Sequence, residues 1–420
     1  MKILWVKANK ILPVHSGGDL RSFNILRQLA RHHQVTFLSY YDGPWDADYE
    51  TNLQRELPGA VCVSTGQQQG SVVARGFDYL RRLPNAVPYA VSRFASGTVQ
   101  ATLNHCLSER PDVALCDFLD AAINFPQHAQ IPSVLFQHNV ESEIWRRNAS
   151  NGLSGVKKLV YRMEFRKMLG YEQQALARFD HVIAVSDHDK KLMSAWTEPQ
   201  RISVVPTGVD TEQFCPDNSV RQKPLVIFVG AMDWEPNVDA VKYFCAEIWP
   251  SVVAEVPQAR FRIVGRNPDR RVKALKSSSI EVTGRVPSVV DHLREAAVVV
   301  VPLRVGGGTR IKIYEAMATA KAVVSTTVGA EGLDVHQGQD IVLSDKPKEF
   351  AESVVRLMKD EQARVRLGNA AAALVSYYGW PVIAAKFAEI LESVTRQGSN
   401  LLLHHQTRSE RNFSGSPQTS

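Results

Sequence analysis

A chain of 420 residues is too long for one ordinary hydrophobic core and implies two domains. Its hydrophobic fraction of 44% and charged fraction of 22% exclude a disordered or fibrous protein. The net charge of +6 favours phosphates, nucleotides, acidic polymers or an anionic membrane face, but 49 basic and 43 acidic residues are interspersed, and no nucleic-acid partner is expected.

In chain order, the opening "MKILWVKANKILPV" reads as a strand and loop; Lys7 and Lys10 interrupt it, so it is not a signal peptide. The next loop carries Gly17 and Gly18 just before a helical pattern. Paired glycines there either let the backbone approach an anion at the helix N-terminus or make a tight turn. "QVTFLS", "AVCVS", "DVALC", "PSVLFQ" and "HVIAVS" follow "KILWV" as short β-branched runs between helical patterns. Such βα units predict a parallel sheet buried on both faces. The Asp-x-Asp of "WDADYE" and the acids of "SDHDKK" read as turn and helix-start residues, and no metal is assigned.

"LFQHNVESEIW" places His138 and Asn139 at the carboxyl end of a strand, either at a functional site or as hydrogen-bonded structural groups. Glu141 and Glu143 read as helix-start acids. Lys157, Lys158, Arg162, Arg166 and Lys167 interleave with apolar residues. That pattern suits an ordinary solvated helix face or an interfacial helix on anionic lipid.

From Val205 to Pro224 polar and turn residues break the periodicity, marking a domain link. A second βα series then runs through "PLVIFVG", "RFRIVG", "IEVTG", "AVVVVP", "AVVST" and "DIVL". Two series predict two Rossmann-like doubly wound domains. The turn "RVGGGTR" separates a buried strand from a helix. N–H groups of Gly307, Gly308 and Thr309 form an expected anion nest, Arg310 offers a phosphate fork and Lys312 a point charge. No GK[ST] follows, which excludes an ATPase P-loop. Glu315 is either a diol acceptor suited to a ribose or a dipole-stabilising surface acid. Glu331 in "GAEGL" follows the next strand and reads as a site residue or as a loop acid.

The run "IYEAMATAKAVVST", with "SGGDLRSFNILRQLA", "FDHVIAVSDHD", "VPTGVDTEQF", "LVIFVGAMDWEPNVDA" and "FRIVG", resembles the family-4 glycosyltransferases, retaining enzymes of GT-B fold. The resemblance covers nearly the whole chain. It implies two Rossmann-like domains facing across a cleft, with residues 1–207 binding the acceptor and 208–378 the nucleotide-sugar donor. A helix over 379–397 would cross back, and 398–420 is expected to be a disordered tail.

The resemblance implies a donor site of Gly17, Gly18, Gly230, Gly307, Gly308, Thr309, Glu315 and Glu331, with His138, Arg310 and Lys312 serving the reaction. Two departures stand out. Gly307 occupies the position of a frequent family glutamate, and Ala231 and Pro236 replace the usual basic pair. Arg310 and Lys312 are the expected replacements, with Arg21 or Arg304 in reserve. The expected co-substrate is a nucleoside diphosphate sugar, with no cofactor or metal, and the acceptor is a saccharide or a lipid-linked one. The rivals are a binding protein without transfer, an epimerase and a phosphorylase. Five scattered cysteines without a CxxC pair suit a reducing compartment. The expected location is the cytoplasm, with peripheral contact at the inner membrane face through the basic helix.

Overall fold

The β-branched runs pair side by side, all in parallel, into two sheets. The computed structural model describes residues 1–420 apart from His15, Asn218, Arg221 and residues 67–71, 151–154, 306–309 and 414–420. The chain divides into one unit of Met1–Val205 with Ala384–Ser420 and another of Pro206–Ile383.

The first unit holds β1 (Lys2–Ala8), β2 (Gln34–Tyr41), β3 (Val61–Ser64), β4 (Val113–Asp117), β5 (Ser133–Phe136), β6 (His181–Ala184) and β7 (Ile202–Val204). Their order is β3-β2-β1-β4-β5-β6-β7. Every residue of β4 and β5 is buried, because helices cover both faces of a parallel sheet. The chain leaves β1 toward β2 and later returns to β4 on the other side. The strand order therefore reverses between β1 and β4, where Lys7 lies in register with Asp117.

The second unit repeats the plan with β8 (Leu225–Val229), β9 (Arg260–Val264), β10 (Ile280–Gly284), β11 (Val298–Val301), β12 (Ala322–Ser325) and β13 (Val342–Leu343). The order β10-β9-β8-β11-β12-β13 puts its reversal between β8 and β11. The carboxyl ends of β8 and β9 meet closely. A Cβ on Gly265 would overlap the carbonyl oxygen of Gly230, so this position needs glycine.

Local chemistry explains the helix starts. Ser16 caps the helix Gly17–Leu29 in a reciprocal box with Asp19, so Gly17 and Gly18 form its first turn. Asp46 accepts the Tyr49 N–H at 2.9 Å and caps Ala47–Glu56. Ser186 accepts the Asp189 N–H at 3.1 Å. Both acid-rich stretches are therefore helix caps.

The last helix, Trp380–Phe413, runs well past Gln397, where a tail was expected to begin. Leu401 to Leu403 are strong helix formers, and no proline follows until Pro417. In the first unit its Phe387 ring stacks on Trp5 at 5.5 Å and meets Phe136 edge-on at 5.1 Å. Burying such a side chain contributes roughly 1.5–3 kcal/mol. Among the described residues no helix is long and apolar enough to cross a membrane.

Candidate functional site

In the first unit, polar side chains collect at the carboxyl ends of β1, β4 and β5, beside the strand-order reversal. Asp117 ends β4 and is buried. It accepts the Trp5 indole N–H at 2.9 Å and lies 3.5 Å from the Lys7 ammonium. Lys7 also reaches Asp19 at 3.6 Å. His138 follows β5 and is buried between two charged partners. Its Nε2 is 2.6 Å from Asp117 Oδ1 and its Nδ1 is 2.8 Å from an Arg21 guanidinium nitrogen. A guanidinium can only donate, so Nδ1 accepts and Nε2–H donates to Asp117. Gly18 lies against the same ring, with His138 Cδ2 3.7 Å from where its Cβ would be.

Burial pulls the His138 pKa down to about 4 and outweighs the Asp117 carboxylate; Arg21 and Lys7 add to the lowering. The ring is neutral near pH 7. Burial opposes ionisation of Asp117, but Lys7 and His138 win and hold its pKa below the usual carboxylate range. Burial lowers Arg21 to about 10, against the pull of Asp189 and Asp117. His138 therefore sits in a charged network with both ring nitrogens occupied. Arg21, held in reserve as a phosphate ligand, is its hydrogen-bond donor.

Sequence reasoning missed Lys7, Asp19 and Asp117 here. The available signal was a charged residue at the carboxyl end of two central strands. Glu141 has its pKa pushed up to about 7, by burial first and then by Asp120 and Glu172. Glu172 caps its helix, accepting the N–H groups of Glu141 at 2.9 Å and Ser142 at 3.0 Å.

The second unit gathers groups beside its own reversal. Lys312 lies in the first turn of the helix Ile311–Ala318, and its ammonium crosses to the end of β8. There it donates to Asn237 Oδ1 at 2.8 Å and lies 4.4 Å from the centre of the Phe228 ring. A Cβ on Gly230 would stand 2.7 Å from Lys312 Nζ, so the glycine makes room for the ammonium. Arg310 caps the same helix, is buried, and lies over the Trp234 ring with its guanidinium carbon 5.5 Å from the ring centre. Glu315 is one turn beyond Lys312.

Burial lowers Lys312 to about 7, helped by Arg310 and partly offset by Glu315. Burial raises Glu315 to about 7, and Lys312 opposes it. A buried guanidinium and a half-buried lysine, beside an acid whose ionisation is suppressed, make a place where an anionic group would be welcome.

Other expectations fare differently. Gly307, Gly308 and Thr309 lie outside the described residues. Glu331 lines a cavity with Thr327, Val328, Leu333 and Leu343. Arg304 forms a two-pronged pair with Asp239 at 2.5 and 3.0 Å. Lys157, Lys158, Arg162 and Arg166 are exposed, as is Leu159, but Lys167 turns inward. Its ammonium donates to the Leu83 carbonyl at 2.7 Å, so it leaves the basic face. Among the described residues, no three His, Cys, Asp or Glu side chains are grouped to hold a metal ion.

Comparison with known proteins fits this division. Residues 16–213 match the family model "Glycosyltransferase Family 4" and residues 223–360 match "Glycosyl transferases group 1". An uncharacterised 44.6 kDa protein in the cps region of Klebsiella pneumoniae is 22% identical over 375 residues, 86% of this chain and 91% of its own. The phosphatidyl-myo-inositol mannosyltransferase of Mycobacterium tuberculosis is 26% identical over 234 residues, 52% of this chain and 61% of the relative. The crystal structure of Anabaena HepE in complex with UDP superposes with a TM-score of 0.66 at 16% identity, covering 94% of this chain and 100% of the other. The two parallel sheets define a GT-B protein. The chain belongs to the family-4-type glycosyltransferases.

Proposed function

We propose that this protein transfers a sugar from a nucleoside diphosphate donor to an acceptor hydroxyl, with retention of anomeric configuration. The observation that carries the reading is the pair Arg310 and Lys312 beside Gly230, at the strand-order reversal of the second sheet. The relatives support the same reading, since HepE is seen with UDP and with UDP-glucose. The inositol mannosyltransferase and the cps-region protein favour a role in polysaccharide, lipopolysaccharide or glycoconjugate synthesis.

In this reading the acceptor oxygen bonds to the anomeric carbon as the bond from that carbon to the diphosphate oxygen breaks. The leaving diphosphate gains charge, which Arg310, Lys312 and backbone N–H groups offset without a metal ion. It also takes the acceptor proton. Glu315 holds the ribose hydroxyls, and Gly307, Gly308, Thr309 and Glu331 complete the donor side. The first unit binds a saccharide or lipid-linked acceptor, with Gly17, Gly18 and His138 nearby. His138 is oriented by Asp117 and Arg21 and engages a sugar hydroxyl by exchanging one of those bonds.

A thermal-shift panel of nucleoside diphosphates and nucleotide sugars, run with and without excess EDTA, tests the donor site. At least one nucleotide should raise the melting temperature equally in both conditions. A shift abolished by EDTA and restored by magnesium or manganese would reject the metal-free site. Glycine at 307, where the family resemblance implies a glutamate, favours one rival, a nucleotide-sugar-binding protein without transfer. That protein would give the shift but release no sugar from any donor.

The exposed Lys157, Lys158, Arg162 and Arg166 with Leu159 suit peripheral contact with an anionic inner membrane face, in a cytoplasmic protein. Sedimentation with vesicles containing phosphatidylglycerol should retain the protein, and charge reversal at these four positions should release it. Equal retention by the reversed variant would remove the membrane from the account.

A further inference from the structure

The seat of Lys312 has a second builder. Asn237 lies near the start of the helix Glu235–Tyr243 and is only 3% exposed. Its Nδ2 donates to the Ala231 carbonyl at 2.9 Å, which fixes the amide orientation. Oδ1 must then face the Lys312 ammonium, 2.8 Å away. The same amide stands 2.7 Å from the place a Cβ on Gly230 would take. Ala231 and Pro236, where the family usually has its basic pair, flank this arrangement in sequence.

We infer that Asn237 is a positioning residue that aims the Lys312 ammonium at a donor diphosphate without cancelling its charge. The inference rests on the reading of the second unit as the nucleotide site. Its physical logic is the choice of a neutral acceptor. An aspartate at this position would hold the lysine equally well but neutralise it, leaving less attraction for phosphate. An amide satisfies one of the three N–H donors of the protonated form and does not neutralise its charge.

Among the described residues, the other groups acting on Lys312 are few. Arg310 and Glu315 act on it from its own helix and cap, and the Phe228 ring from β8. On the helix of Asn237 the remaining acids are engaged elsewhere, Glu235 with Arg271 and Asp239 with Arg304. With its pKa lowered to about 7, the Lys312 side chain is increasingly a neutral amine above that pH and must take up a proton to meet a diphosphate. Affinity should then fall as pH rises above about 7, by up to about tenfold per pH unit.

The test is calorimetric titration of the full chain with UDP, ADP and GDP between pH 7 and 9. This range lies above the last ionisation of a terminal phosphate near pH 6. For the nucleotide that binds, Asn237→Asp should weaken affinity at pH 7 by at least about tenfold. It should also flatten the pH profile, because a carboxylate partner keeps Lys312 charged across the range. Asn237→Ala should bind more weakly at every pH and keep the slope. Should Asn237→Asp fail to fold, Asn237→Ala decides: affinity equal to that of the unaltered protein overturns the inference. A parallel loss in Asn237→Asp with the slope unchanged marks a merely structural role and also overturns it. If none of the three nucleotides binds the unaltered protein, the reading of the second unit fails, a result distinct from either of these.

Discussion

Replacing Arg310 with alanine should lower single-turnover sugar transfer by about 10²–10³-fold, the loss typical of removing one donor from a developing oxyanion. The nucleoside diphosphate should also bind more weakly. Both effects follow from placement. The guanidinium is buried at the N-terminus of the helix Ile311–Ala318, which follows β11, and is held over Trp234, which follows β8. A fork there meets two oxygens of a diphosphate and grips harder as charge accumulates on the leaving group. Arg310→Lys keeps the charge and loses the fork, so it should recover only part of the rate. Wild-type rate and affinity in Arg310→Ala would show that the diphosphate is held elsewhere. Arg304 is a poor substitute in this account, because Asp239 already holds its fork.

The second large effect is expected in the first unit. Asp117→Asn should destabilise the protein by about 3–5 kcal/mol, as when one partner of a buried ion pair is lost. The carboxylate satisfies the Trp5 indole, the His138 Nε2–H and the Lys7 charge together. An amide offers one acceptor oxygen and points a nitrogen at another donor. The unaltered protein should itself weaken in acid. His138 has an ordinary value of 6.5 but about 4 in the fold, so the unfolded chain binds its proton first. This contribution is complete above pH 6.5 and is lost as pH falls toward 4, at up to ~1.4 kcal/mol per pH unit. Urea unfolding of both proteins at pH 7 checks the main claim, and equal midpoints with equal slopes would refute it.

Much of the fold was legible because a buried parallel strand must be a short β-branched run. "AVVVVP" and "PLVIFVG" have no other plausible reading between helical patterns, and β11 and β8 form there. β7 was missed for the converse reason. Ile202–Val204 is three residues long, lies at the sheet edge, and runs straight into the polar link. Beyond Gln397 the polar composition suggests disorder, yet the final helix continues because the leucines near its middle carry helix propensity onward.

The site was legible at the level of turns, not partners. Arg310, Lys312 and Glu315 stand out as charges at a glycine-rich strand-to-helix turn. Asn237 does not, since its meaning depends on a lysine 75 positions away. In the sequence, Lys7 is only a charge inside an apolar opening. Its reason is the register that sets it beside Asp117, which no local pattern encodes.

The central claim is glycosyl transfer with retention from a nucleoside diphosphate sugar. Its most direct test is proton NMR of the first sugar released when the protein slowly hydrolyses its donor in water. A retaining transferase should release the nucleoside diphosphate and, before mutarotation, a sugar with the donor's own anomeric configuration. Initial release of the opposite anomer, or no release from any nucleotide sugar that binds, would contradict it.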